Sequence, residues 1–169
     1  MVVLGLAGIL LALAPVASAA VAPMVSLVVG DATAKPVQHG VGKLKLALQQ
    51  KGVSLEEAAS VRAANGDAVV VAGFTSGAGE AARLISELRL TPHTEPESLL
   101  IRKLKRDGKT VLLVAGADAR GLMYALLDVA DRVGWAKSAG QPFSEVRDAQ
   151  EKPYAPERAL SLYTFNRAY

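Results

Sequence analysis

The sequence predicts a small α/β domain, an α+β sandwich-like arrangement in which a mixed β-sheet carries helices packed mainly on one face. Three observations lead there. Short β-branched apolar runs alternate with stretches whose apolar residues recur at helical spacing. An Asp-Gly pair, Asp107-Gly108, joins two neighbouring strand-like runs and marks an antiparallel hairpin within the sheet. The length, 169 residues, suits a single core, since domains commonly hold about 100–200 residues.

The amino-terminal segment comes first and stands outside that pattern. No charged residue precedes Asp31, and Val2 to Ala14 is almost wholly Val, Leu, Ala, Gly and Ile. Such a run matches the apolar core of an export signal and falls short of the roughly 18–20 residues of a bilayer span. Pro15 breaks it, and Ala17-Ser18-Ala19 offers the small residues that signal peptidase reads. Residues 1–19 are therefore read as a signal peptide cleaved after Ala19, with Ala22 as the second choice. Uncleaved signal anchor and buried helix are the competing readings. A periplasmic or extracellular destination follows, with no stable membrane anchor after cleavage.

Met24 to Val29 is a β-branched run closed by Gly30-Asp31, which makes it the first strand. Val41, Leu44 and Leu48 then mark one face of a helix ending at Gly52. Val53 to Arg62 stays open, because its LEEAASV core favours helix by propensity while its neighbours suggest extended chain. Asp67 to Gly73 is a buried strand following an Asn65-Gly66 turn, and Gly77 to Leu88 reads as a helix with Ala81, Leu84, Ile85 and Leu88 inside. Pro92 and Pro96 bracket a loop. Ser98–Lys105 and Lys109–Ala115 form the hairpin, partly solvated because Arg102, Lys103, Lys105 and Arg106 cannot all be buried. Asp118 is placed to cap a helix whose inner stripe is Leu122, Leu126, Val129 and Val133 and whose end is Gly134. Lys137 to Pro156, rich in Gly, Ser, Gln and Pro, reads as a linker at 137–156 after an α/β domain at 20–136. Ala159 to Phe165 then begins a new strand within 157–169.

Composition removes several chemistries. With no cysteine there is no disulfide, thiolate zinc site, thiol nucleophile or lipoprotein anchor, and His39 and His93 are too few for a histidine-rich metal site. A net charge of +3 without interleaved aromatics gives no nucleic-acid signature. Gly77-Ala-Gly79-Glu-Ala-Ala82 fits G-x-G-x-x-A, with Glu97 near the spacing of a ribose-binding acid. Glu97, however, precedes its strand instead of ending it, and a flexible strand-to-helix turn is the preferred reading; no cofactor is expected. A nucleotide-binding domain stays as the third hypothesis. Gly116-Ala-Asp118-Ala-Arg120-Gly121 could gather amides around an anion, yet a turn, a cap and a close helix approach account for it more simply. Asp128 and Asp131, with Glu56 and Glu57, are read as solvated faces, not as a glycosidase acid/base pair. No Ser-His-Asp arrangement can be built. The basic run Arg102 to Lys109 is read as edge-strand protection before a ligand patch. No catalytic or metal-binding residue is assigned.

Ser98 to Gly134 resembles the end of the small α/β domain that precedes the catalytic barrel in some glycoside hydrolases: the N-terminal domain of α-glucuronidases and the second domain of β-N-acetylhexosaminidases. Gly116, Asp118 and Gly121 occupy positions of the family pattern I-x-G-x-D-x-x-G, and Tyr124 opens the pattern Y-A/G-x-x-x-L, with Leu127 following on the same helix. Val146-Arg-Asp148 and Pro153 to Tyr163 are similar to the junction with the first strand of a (β/α)8 barrel. There the resemblance implies a sugar-contacting role for Arg158. Ala159 stands where hexosaminidases have glycine, and Asn166-Arg167 also differs, so the likeness leans to the α-glucuronidase-like group. It implies a hexosaminidase domain 2-like fold and an accessory, non-catalytic domain of an exported glycoside hydrolase. The parent would act on polysaccharide or glycan through a barrel that this chain lacks. The alternative is a free-standing periplasmic carbohydrate-binding α/β module.

Overall fold

The computed structural model describes residues 22–30 and 33–155. Along them run β1 (Met24–Val29), α1 (Lys35–Gln50), β2 (Ser54–Glu57), β3 (Ala68–Phe74), α2 (Glu80–Glu87), β4 (Leu99–Arg106), β5 (Lys109–Gly116), α3 (Ala119–Trp135) and β6 (Ala149–Glu151). One six-stranded sheet has the order β2-β1-β3-β5-β4-β6. The first four strands in that order run parallel, and β4 is antiparallel to both β5 and β6. The mixed α/β fold expected from the alternation is therefore the fold observed.

Strand alternation divides the core in two. Val25, Leu27, Val70, Leu112 and Val114 point to the face covered by α1 and α3, whereas Val28, Val69, Val71, Leu113 and Ala115 point to the face covered by α2. β3 and β5 are apolar on both faces because both faces are covered. Helices therefore pack mainly, though not wholly, on one face. The hairpin turns through Asp107 (φ 50) and Gly108 (φ 79), with Arg106 opposite Lys109, which is the two-residue turn an Asp-Gly pair favours.

α2 starts three residues later than the sequence reading placed it and leaves Leu88 exposed, α3 runs past Gly134 to Trp135, and three further segments differ. The open stretch after Gly52 contains β2, an edge strand whose Leu55 pairs with Val25; helix propensity loses there to the free edge of β1. α1 begins earlier than its apolar stripe suggested, at Lys35, with Pro36 in its first turn where a missing N–H costs nothing. The expected linker is built into the body: Phe143 and Val146 are buried in the α1/α3 core, and β6 pairs with Leu99–Ile101. The signal segment 1–19 and the expected strand 159–165 lie outside the described residues. Among the described residues no helix is long and apolar enough to cross a membrane.

Candidate functional site

β1, β3 and β5 end at one side of the molecule, where β4 begins and β6 ends, and open α/β sheets usually bind ligands at such a carboxyl edge. Two motifs that are separate in sequence meet there. The Asp118 carboxylate accepts from the backbone N–H groups of Arg120 (3.0 Å), Gly121 (2.8 Å) and Glu97 (3.0 Å). Arg120 in turn reaches the Glu97 carboxylate at 3.1 Å. An added Cβ at Gly121 would run into the Ser98 carbonyl oxygen, and one at Gly116 would lie 2.6 Å from the Leu122 Cα. The amides that could have cradled an anion are thus taken by a side chain of the same loop. The motif acts as a clasp that draws the start of β4 onto the start of α3.

The glycine-rich turn is a different case. Gly77 (φ 100) is exposed, and α2 begins only at Glu80, with Gly79 as its N-cap. Glu80 bonds Arg83 and the Val61 N–H, and Arg83 holds its carboxyl below the ordinary range. A carboxylate in the first turn opposes a phosphate. The next strand, β4, runs antiparallel to β5, so no βαβ unit follows and Glu97 does not end a parallel strand. The arrangement lacks the geometry of a dinucleotide site.

The remaining candidates are dispersed. Glu56 and Glu57, considered beside the helical acids, sit on β2, which sends them to opposite faces. Glu56 accepts from the buried Ser26 hydroxyl at 2.6 Å and from the Asn65 N–H, and the Ser26 bond leads in lowering its pKa. Glu57 meets Lys45 at 2.5 Å, again with a lowered pKa. Asp128 pairs with Arg132 one helical turn on. His39 is exposed on α1, and His93 Nδ1 lies 3.9 Å from Glu95. Glu95 itself is drawn down to about 2 by the Lys152 ammonium at 2.5 Å. Among the described residues there is no group of three or more His, Cys, Asp or Glu side chains that could hold a metal. Arg158 lies outside them.

At the opposite end of the sheet the structure opens a groove of about 410 Å3 between the strands and the 140–144 turn. Sequence reasoning missed it, because its floor comes from the chain entering β1 and its wall from the segment read as a linker. Strand period two was the available signal: it sends Lys103 and Lys105 to the groove and Arg102 and Arg106 to the other face.

No protein-family model matches the chain, and no curated protein does. Solved structures do. A GH138 enzyme targeting pectin rhamnogalacturonan II aligns with a TM-score of 0.52 at 14% identity over 78% of this chain and 15% of its own. CpGH84D aligns with a TM-score of 0.55 at 14% identity over 68% of this chain and 18% of its own. BtGH115A, a GH115 4-O-methyl-α-glucuronidase with specificity for decorated arabinogalactans, gives 0.48 at 18% identity over 68% and 14%. At such identities the first two likenesses are of fold: this α/β architecture occurs within glycoside hydrolases. The chain spans only a small part of their length.

Proposed function

We propose that this chain is an accessory α/β domain of an exported glycoside hydrolase acting on polysaccharide or glycan, α-glucuronidase-like before hexosaminidase-like, and not catalytic by itself. The observation that carries the reading is the fold shared with the GH138 pectin enzyme and CpGH84D, in which the matching region forms 15% and 18% of the chain. The use of carboxylates agrees with it. Glycoside cleavage needs two carboxyl groups facing each other across a bond, about 5–10 Å apart. Here Glu56, Glu57, Glu80, Glu95, Asp118 and Asp128 are each engaged by a hydroxyl, a cation or a backbone amide of the fold.

The role of such a domain is packing: a sheet and helix layer set against a catalytic barrel. The preference for the α-glucuronidase-like group rests on Ala159 and Asn166-Arg167, and Arg158 is the residue proposed to reach the sugar. Export rests on the uncharged apolar segment before Asp31.

Aryl glycosides, including aryl glucuronides and N-acetylhexosaminides, offered to the purified 169-residue chain should disappear no faster than in buffer. Hydrolysis well above that background would sink the reading. Mass measurement of the secreted chain should show residues 1–19 removed.

A further inference from the structure

The basic run on β4 separates into two pairs with different partners. Arg102 lies 3.4 Å from Asp148 and Arg106 lies 2.8 Å from Glu87, so both guanidinium groups are matched by carboxylates. The lysines on the other face are not. Lys103 Nζ donates to the Phe143 carbonyl oxygen at 2.8 Å and Lys105 Nζ to the Thr110 hydroxyl at 2.7 Å, both neutral acceptors. Two ammonium groups two residues apart on one strand thus line the same groove, with no carboxylate among the described residues bonded to either. Each has donors to spare, since an ammonium carries three.

The rest of the groove limits what an anion there can be. Its volume, about 410 Å3, lies within the usual range for small-molecule sites, roughly 300–1,000 Å3. Pro23 and Met24, both half-buried, make an apolar floor, and the exposed Asp67 and Gln141 put polar atoms on the rim. One Asp67 oxygen accepts from the Met24 N–H at 3.1 Å, which leaves its carboxylate acceptor sites for ligand hydroxyls. That same negative charge repels a polyphosphate, with several charges, more than a ligand with one, whose charge the two ammonium groups outweigh. Phe143, the aromatic residue of the wall, is 4% exposed and offers no face for a stacked base.

We propose that this groove binds an anionic saccharide: a sugar carrying one carboxylate or sulfate between Lys103 and Lys105, with its C–H face on the apolar floor and its hydroxyls toward Asp67 and Gln141. That the anion is a saccharide rests on the glycoside hydrolase reading above; the hydrolysis assay tests that reading by itself, whereas the titration below reads only binding in this groove.

The test titrates the full chain, followed by calorimetry and backbone amide NMR, with oligogalacturonate, a sulfated galactose oligomer, neutral galactose oligomers and inorganic sulfate. A carboxylated or sulfated oligomer should bind and shift the amides of Thr110, Gln141 and Ser144, and whichever of the two binds more tightly identifies the anion. Affinity should fall about tenfold in Lys105→Gln and recover in Lys105→Arg, as expected for one charge-assisted contact. It should also fall in about 0.5 M salt. Lys105 is exposed, and an unchanged circular dichroism spectrum verifies that the variant is folded. No binding by either anionic oligomer, equal binding of the neutral oligomer, equal binding of inorganic sulfate, or full affinity in Lys105→Gln would each overturn the proposal.

Discussion

Asp118 ties three backbone N–H groups from two parts of the chain, Glu97 before β4 and Arg120 and Gly121 in the first turn of α3. Removing a helix N-cap costs about 0.5–2 kcal/mol, and the additional Glu97 bond puts this residue at the upper end. Asp118→Ala should lower unfolding stability in urea by about 2 kcal/mol, whereas Asp118→Asn, which keeps an acceptor, should lose less than about 1 kcal/mol. Arg120 adds little, because its side chain is 68% exposed in the pair with Glu97. The capping role was legible from Asp118 standing two residues after Gly116. Its third bond was not, because nothing local says that Glu97 will arrive beside it.

Elements divide by whether their signal is local. The hairpin is read from Asp107-Gly108 alone, because positive φ at both turn residues is a property of those two residues. α3 is read from its apolar stripe, which is continuous and faces a single layer. β2 and β6 have no such signal. Ser54–Glu57 and Ala149–Glu151 are short, polar edge strands that exist because β1 and β4 offer unpaired backbone. The stretch before β6 looked like a linker from its Gly, Ser and Pro, but composition does not reveal that Phe143 enters the core. Phe143→Ala should therefore cost about 3–5 kcal/mol in denaturant unfolding, the usual loss for a buried phenylalanine. A true linker residue would cost almost nothing. The groove beside it escaped notice for the same reason: one of its walls is this segment.

At the scale of the whole molecule, stability should grade from the sheet centre outward. Hydrogen exchange should leave the amides of β3 and β5 protected longest and release those of β2 and β6 first, because the inner pair is buried on both faces and paired on both edges. Comparable protection in β2 would contradict the strand order. The alternation of strands and helices made the α/β class visible, but the order itself was hidden, since it depends on which edge each strand joins. That order has a consequence for biosynthesis. β5 is fifth to be made, yet it sits against β3, so Val69 to Val71 wait with one flank open until Gly116 has left the ribosome. Such an interval invites chaperone capture or mispairing between nascent chains. A hairpin closing in microseconds shortens the wait, because β5 then docks as a ready-made ribbon with β4 already shielding its far side.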